Sequence, residues 1–327
     1  MKNIFGFVLV DTPHSALNNA GEDAGSRTEN TVAVKTIRRG RDVYPYISGQ
    51  ALRYWWRTTL ADKFDWKISP VIREKKIAFT EANPIRYDDD DMFGYMRAIR
   101  NDTLTRVSPL KCAPLVSVLS QTPVDDFGVM ARQESDAVPY EHQFYSTIMK
   151  GIFSLNIDQV GVFSNVNRTG FKNLNDDLEK ELEESGATKV ENMWTLPKDV
   201  RTKRITNTIE ALAYIYGGAK HTTHLTDVTP KFIILVVYDG GNHIFMNLAR
   251  EEKREVKINF KELERVLTDY STEIVSDVYI GKSDGFLPEL DKEIDDFKKK
   301  FSGKTIHTGS PKQVIDLFAA AIPEHIE

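Results

Sequence analysis

The chain opens on an apolar, β-branched run, IFGFVLV, which predicts a strand over residues 3–10. The polar, small-residue stretch 18–31 has no period and reads as a long loop. Leu52, Trp55, Trp56, Thr59 and Leu60 then recur at helical spacing behind Ser48, a residue suited to an N-cap, which predicts a helix over 49–64. Residues 67–101 hold no sustained period and read as an insertion outside the core. A β-like run over 106–119 carries Pro109 and Pro114, which point to an edge or a bulge. The polar, turn-rich stretch 121–141, in which Phe127 and Met130 stand alone, precedes a longer β-like run over 143–163. The acidic segment 173–186 predicts an amphipathic surface helix. Residues 204–216 predict another helix, stopped at Gly217-Gly218, and KFIILVVY predicts a strand over 231–238. The tail, 259–327, alternates helical patterns with polar loops and ends in the helix SPKQVIDLFAAAI.

The core order is therefore strand, helix, strand, strand, helix, strand. This is an α+β, ferredoxin-like βαββαβ plan with long insertions in two connections. The RNA-recognition motif shares that topology and leaves one sheet face open as a platform for single-stranded RNA. Topology alone does not assign a function.

Composition narrows the classes. With 327 residues, 41% hydrophobic and 28% charged, the chain can bury a core without disulfides. Its one cysteine, Cys112, excludes an intrachain disulfide and sits in an apolar run as a small hydrophobe. No apolar stretch is long enough for a membrane helix, and no leader is read at the N-terminus, so the expected setting is the reducing cytoplasm. The net charge of −5 argues at first against nucleic acid, but it is unevenly spread. Lys35, Arg38, Arg39, Arg41, Arg53 and Arg57 crowd one segment against the single acid Asp42, whereas residues 171–200 carry eight acids against four lysines.

Catalytic motifs are scarce. There is no GxSxG and no HExxH. His221 and His224 form HTTH without a partner ligand at recognisable spacing, so loop contacts, including contacts to phosphate, are preferred to zinc. Asp88–Asp91 lacks calcium-loop spacing and reads as a solvated acidic turn or an intersubunit charge patch. GGAK at 217–220 is too short for a P-loop; it is a helix stop, although Lys220, His221 and Thr222 after two glycines could wrap a sugar–phosphate backbone. The basic segment says most. Gln50, Arg53 and Arg57 share a helix face beside the helix start, where arginine forks suit phosphate. Trp55 and Trp56 stay open between core and platform.

YPYISGQALRYWWR resembles the start of the first helix in the DevR-type branch of the CRISPR-associated RAMP superfamily, which supplies the backbone subunit of Cascade, the type I-B surveillance complex. DDDMFGYM, RVSPLKCAPLVSV, the GGAK turn and LTDVTPKF continue the likeness in the family's order, from residue 3 to about 247. The resemblance implies an RRM-like palm carrying inserted fingers and a β-hairpin thumb, with copies aligned head to tail along one crRNA. On this chain the palm takes 1–64, 106–120 and 142–247, the fingers 65–105, the thumb 121–141, and 248–327 is an extension. The resemblance places the RNA grip on Lys35, Arg38, Arg39, Arg41, Ser48, Gln50, Arg53 and Arg57, with Gly217, Gly218, Lys220, His221 and Thr222 in the glycine-rich loop. Phe127 and Met130 become the apolar wedge beside a flipped base.

The implied partners are crRNA, target DNA through guide pairing, further copies of the chain and other Cascade subunits, with no membrane, cofactor or metal. Related type III backbone subunits cleave RNA with a loop aspartate; the loosely equivalent position here is Asn30, which argues for a non-catalytic subunit. Two rivals remain. One is a metal-dependent endoribonuclease using Asp23, Glu29 or Asp88–Asp91. The other is an interaction protein whose basic helix docks an acidic protein.

Overall fold

The computed structural model describes residues 1–22, 31–74, 76–99, 102–131 and 136–327. The apolar alternation of the first strand extends further than expected, over Lys2–Ser15. Its two faces fill two different cores, as a period of two requires. Ile4, Val8 and Val10 pack with Trp56, Leu60, Ile205 and Ile209, which come from the helices Gly49–Phe64 and Lys198–Glu210. Phe5, Phe7 and Leu9 pack with Phe232, Ile234 and Val236 under Leu263, Leu267, Ile294 and Phe297 of the tail. A strand buried on both faces reads as the continuous apolar run seen in the sequence.

This strand lies inside a large sheet. From edge to edge its order is Ile306–Gly309, Val278–Lys282, Phe232–Asp239, Lys2–Ser15, Val138–Asn156, Leu115–Ser117, Asp42–Ile47 and Thr36–Arg39. Neighbours on this path are antiparallel except the first pair, which is parallel. The four central strands thus stand in the order fourth, first, third, second, as a βαββαβ unit does. The sheet face that an RNA-recognition motif leaves open is covered here by the tail. The tail also adds two strands to the sheet, and its last helix, Pro311–Ala321, packs Val314, Ile315 and Phe318 onto the helical side.

Other boundaries shift for local reasons. The second core helix begins at Lys198, six residues before the expected Arg204, and its first turns bury Arg201 and Arg204 rather than apolar residues, which hides them from an apolar period. The stretch read as a loop at 18–31 contributes strands Asn19–Glu22 and Thr31–Val34, the latter parallel to Val138–Asn156. A third core joins Tyr95 and Leu104 of the first insertion to Phe163, Leu174, Leu182 and Trp194 of a later segment. The projecting lobe therefore draws on two stretches of chain, not one.

Candidate nucleic-acid interface

The basic segment is a hairpin at the sheet edge. Strands Thr36–Arg39 and Asp42–Ile47 pair Arg38 with Val43 and Arg39 with Asp42 across the turn at Gly40-Arg41. Arg38, Arg39 and Arg41 are exposed and Lys35 is half-buried. Arg39 lies 5.5 Å from the Tyr44 ring centroid. Cationic edge strands also deter sheet-to-sheet pairing. Here, however, the hairpin borders a cleft of about 550 Å³ lined by Lys35, Arg38, Tyr46, Thr122 and Gln143 among others, with no carboxylate among the described lining residues.

The helix Gly49–Phe64 starts as expected. The Ser48 hydroxyl accepts from the Ala51 N–H at 3.3 Å, and the Ser48 N–H donates to Asn18 Oδ1 at 2.8 Å. Gln50 is exposed at the helix start. The two helix arginines do not form the expected cationic face. Arg53 turns inward: Nη1 donates to Ser108 Oγ at 3.0 Å and to the Leu110 carbonyl, and Nη2 to the Phe93 carbonyl at 2.6 Å. Arg57 lies 4.4 Å from the Phe93 ring centroid and 3.5 Å from Asp89 Oδ2. Both are held by the insertion because Phe93 and the Asp88–Phe93 helix lie against that face. Trp55 and Trp56 are core: Trp56 is fully buried and its Nε1–H donates to the Thr208 carbonyl at 2.8 Å.

Gly217 and Gly218 are there for close approach. Their φ values are 147° and 109°, and a Cβ would sit 2.3 Å from the Trp55 ring at one and 2.3 Å from Leu17 at the other. The chain then turns through Lys220 in the left-handed region into the short helix His221–His224. His221 and Thr222 are exposed there. Among the described residues no His/Cys/Asp/Glu group is placed to hold a metal ion.

The Lys220 ammonium lies 6.0 Å from the ring centroid of Tyr140, at the root of a projecting hairpin. That hairpin pairs Val124–Met130 with the start of Val138–Asn156 and sets Phe127 opposite Glu141. Phe127 and Met130 are 61% and 60% exposed, which core residues of their size are not.

Residues 10–258 match the family model described as CRISPR-associated negative auto-regulator DevR/Csa2. The chain belongs to this family. Its fold is also that of a chain from a structure described as "CRISPR RNA-guided surveillance complex, pre-nicking", at a TM-score of 0.60 and 13% identity, covering 98% of this chain and 99% of that one. A second, "CRISPR RNA-guided surveillance complex", matches at a TM-score of 0.52 and 11% identity over 98% and 99%. Comparison with curated proteins gave no match.

In this DevR/Csa2 chain three of the four acids of the tetrad are buried within the chain rather than solvated, and Asp88 is partly exposed. Asp89, Asp90 and Asp91 are 3%, 1% and 0% exposed. Asp91 accepts from Arg106 Nη2, from Arg204 Nη1 at 2.8 Å and from the Gly161 N–H at 2.9 Å. Asp88 accepts from Arg204 Nε at 2.7 Å, Asp90 from the Asn83 N–H and Asp89 from the Ser69 N–H, both at 2.9 Å. The carboxylates are thus partnered by arginines and backbone, joining helix, insertion and second core helix. Only the later positions of Arg106 and Arg204 reveal this, and no local spacing signals it. Asp23, Glu29 and Asn30 lie outside the described residues.

Sequence reasoning also missed Tyr46 and Gln143 in the cleft, and His14 and His142 beside His224. Each belongs to a different element, so only the folded register brings them together.

Proposed function

We propose that this chain is a non-catalytic, crRNA-binding backbone subunit of a type I CRISPR surveillance complex, a Cascade, that holds the guide for pairing with target DNA. The observation that carries the reading is the cleft beside the basic hairpin: Lys35 and Arg38 line it, no carboxylate does among the described residues, and Arg39 and Arg41 stand exposed next to it. Such a surface suits a polyanion without reading base edges, as a subunit that accepts any guide must. The fold shared with chains of surveillance complexes supports the same assignment, and the type I-B subtype rests on the sequence resemblance.

In this reading the βαββαβ unit is an RRM-like palm, the lobe built around Tyr95 and Trp194 is the fingers, and the hairpin bearing Phe127 and Met130 is the thumb. Lys35, Arg38, Arg39, Arg41, Gln50, Lys220, His221 and Thr222 contact the RNA backbone. Ser48, Arg53 and Arg57 act as positioning residues, through the cap and the insertion. Copies stack head to tail along the guide, a heterologous arrangement that extends rather than closes. The non-catalytic reading is supported by the engagement of Asp88 and Asp91 with arginines and of Asp89 and Asp90 with backbone N–H groups; the endoribonuclease reading would rest on Asp23 and Glu29, outside the described residues.

Fluorescence anisotropy with labelled single-stranded RNAs of unrelated sequence tests this. Similar affinities are expected, with a log–log salt slope near −3 for about four phosphate contacts and a loss of roughly 1.4 from the slope on Arg38→Ala with Arg41→Ala. Absent binding at low salt, with capture of an acidic protein instead, refutes it.

A further inference from the structure

Three histidines from three distant parts of the chain meet at the root of the projecting hairpin. His14 ends the first strand, His142 lies on the long strand and His224 closes the HTTH turn. The His14 and His224 rings lie 4.4 Å apart between centroids, with Nδ1 to Nδ1 at 2.7 Å and His224 Nδ1 also 3.1 Å from the His14 carbonyl oxygen. His142 meets His224 edge-on at 6.0 Å. Its Nδ1 is buried without a hydrogen-bond partner, although the side chain retains 13% exposure.

The charged and titratable groups facing His142 among the described residues are Lys220, His14, His224 and one carboxylate, Asp126, at 3.3 Å from Nε2. The Tyr140 ring stacks on His142 at 6.2 Å. Burial and then the charge of Lys220 hold His142 below the ordinary imidazole range. Protonating His142 is therefore disfavoured in the free protein. An incoming phosphodiester reverses that balance, because it accepts hydrogen bonds from imidazolium and offsets the repulsion from Lys220.

We propose that His14, His142 and His224, with Lys220, form a proton-coupled subsite for one phosphodiester of single-stranded RNA. RNA enters this subsite with a proton: the imidazole takes it from solvent and no covalent bond changes. The inference rests on the RNA-binding reading above and adds to it a site on the other side of the long strand from Gln143, since successive strand residues face opposite ways. It predicts that the guide grip strengthens as pH falls, by up to about tenfold for each unit by which bound RNA raises the titration of His142.

Isothermal titration calorimetry of the full chain with a synthetic oligouridylate, whose bases take up no proton in this range, is the test. At pH 6.5, two buffers of different ionisation enthalpy give the number of protons taken up. Roughly half a proton to one is expected. The uptake should disappear in His142→Gln and in the triple variant that adds His14→Gln and His224→Gln, with a melting curve as the check on folding. Binding without proton uptake, or uptake that persists in the folded triple variant, overturns the subsite and leaves the RNA reading standing. No oligouridylate binding at any pH between about 5.5 and 8, the window in which histidine titrates, overturns both.

Discussion

Arg53 distinguishes an arginine that holds the fold from one that holds RNA. Its guanidinium makes three hydrogen bonds to Ser108, Leu110 and Phe93 and stands 5.1 Å from the Phe93 ring centroid. Arg53→Ala leaves the Phe93 carbonyl without this donor, leaves the Leu110 carbonyl to Ser108 Oγ alone and opens space beside the helix. Hydrogen bonds from a charged donor contribute about 1.5–3 kcal/mol each, and the partners stay partly buried, so a total loss of about 4 kcal/mol is expected. For a chain of this length unfolding in one step, that corresponds to a fall of about 6 °C in melting temperature. Arg53→Lys keeps the charge but cannot span three acceptors, so it should lose most of the same stability. Differential scanning calorimetry gives the shift, and anisotropy at a temperature where both variants are folded gives the salt slope of RNA binding. The slope should stay at the wild-type value in both. A weaker slope with an unchanged melting temperature would show that Arg53 faces the phosphate and that the inward geometry is irrelevant to function.

Three further outcomes follow from other parts of the structure. Phe127→Ala with Met130→Ala should weaken ordered assembly on long RNA, seen by electron microscopy, more than affinity for a short RNA; equal losses would remove the thumb assignment. Gly217→Ala, which drives a methyl into the Trp55 ring, should destabilise by about 1–3 kcal/mol, more than Gly40→Ala, where nothing lies within 4 Å of the added Cβ; equal melting shifts would refute the contact. Burial raises the Asp89 carboxyl to about 6. The folded state then binds more protons than the unfolded chain, so this contribution is present below about pH 4 and is lost as pH rises through about 6, by roughly 3 kcal/mol. Asp89→Asn should flatten that part of the stability profile, and an unchanged profile would contradict the burial argument.

How much was legible depended on whether the signal was local. The helix Gly49–Phe64 and its Ser48 cap, the strand Phe232–Asp239 and the order of the central elements are written in short-range periodicity and turn chemistry. The function of a charge was not. Arg53 and Arg57 sit at helical spacing that reads as a solvated basic face, and only Phe93, some forty residues on, turns them inward. Asp88–Asp91 reads as a surface turn until Arg106 and Arg204 arrive from elsewhere to neutralise it. The closed second face of the sheet is legible only in part: the unbroken run IFGFVLV suits burial on both faces, but nothing near it announces that Leu263 and Phe297 will cover Phe5, Phe7 and Leu9. The histidine trio is the extreme case, assembled from positions 14, 142 and 224.

The central claim is that this chain carries a guide RNA. The most direct measurement is to purify it from its native host, or together with the products of its neighbouring genes, then extract and sequence the bound nucleic acid. Short RNAs of uniform length with repeat-derived ends are the predicted result. Random cellular RNA, or none at low salt, would contradict it.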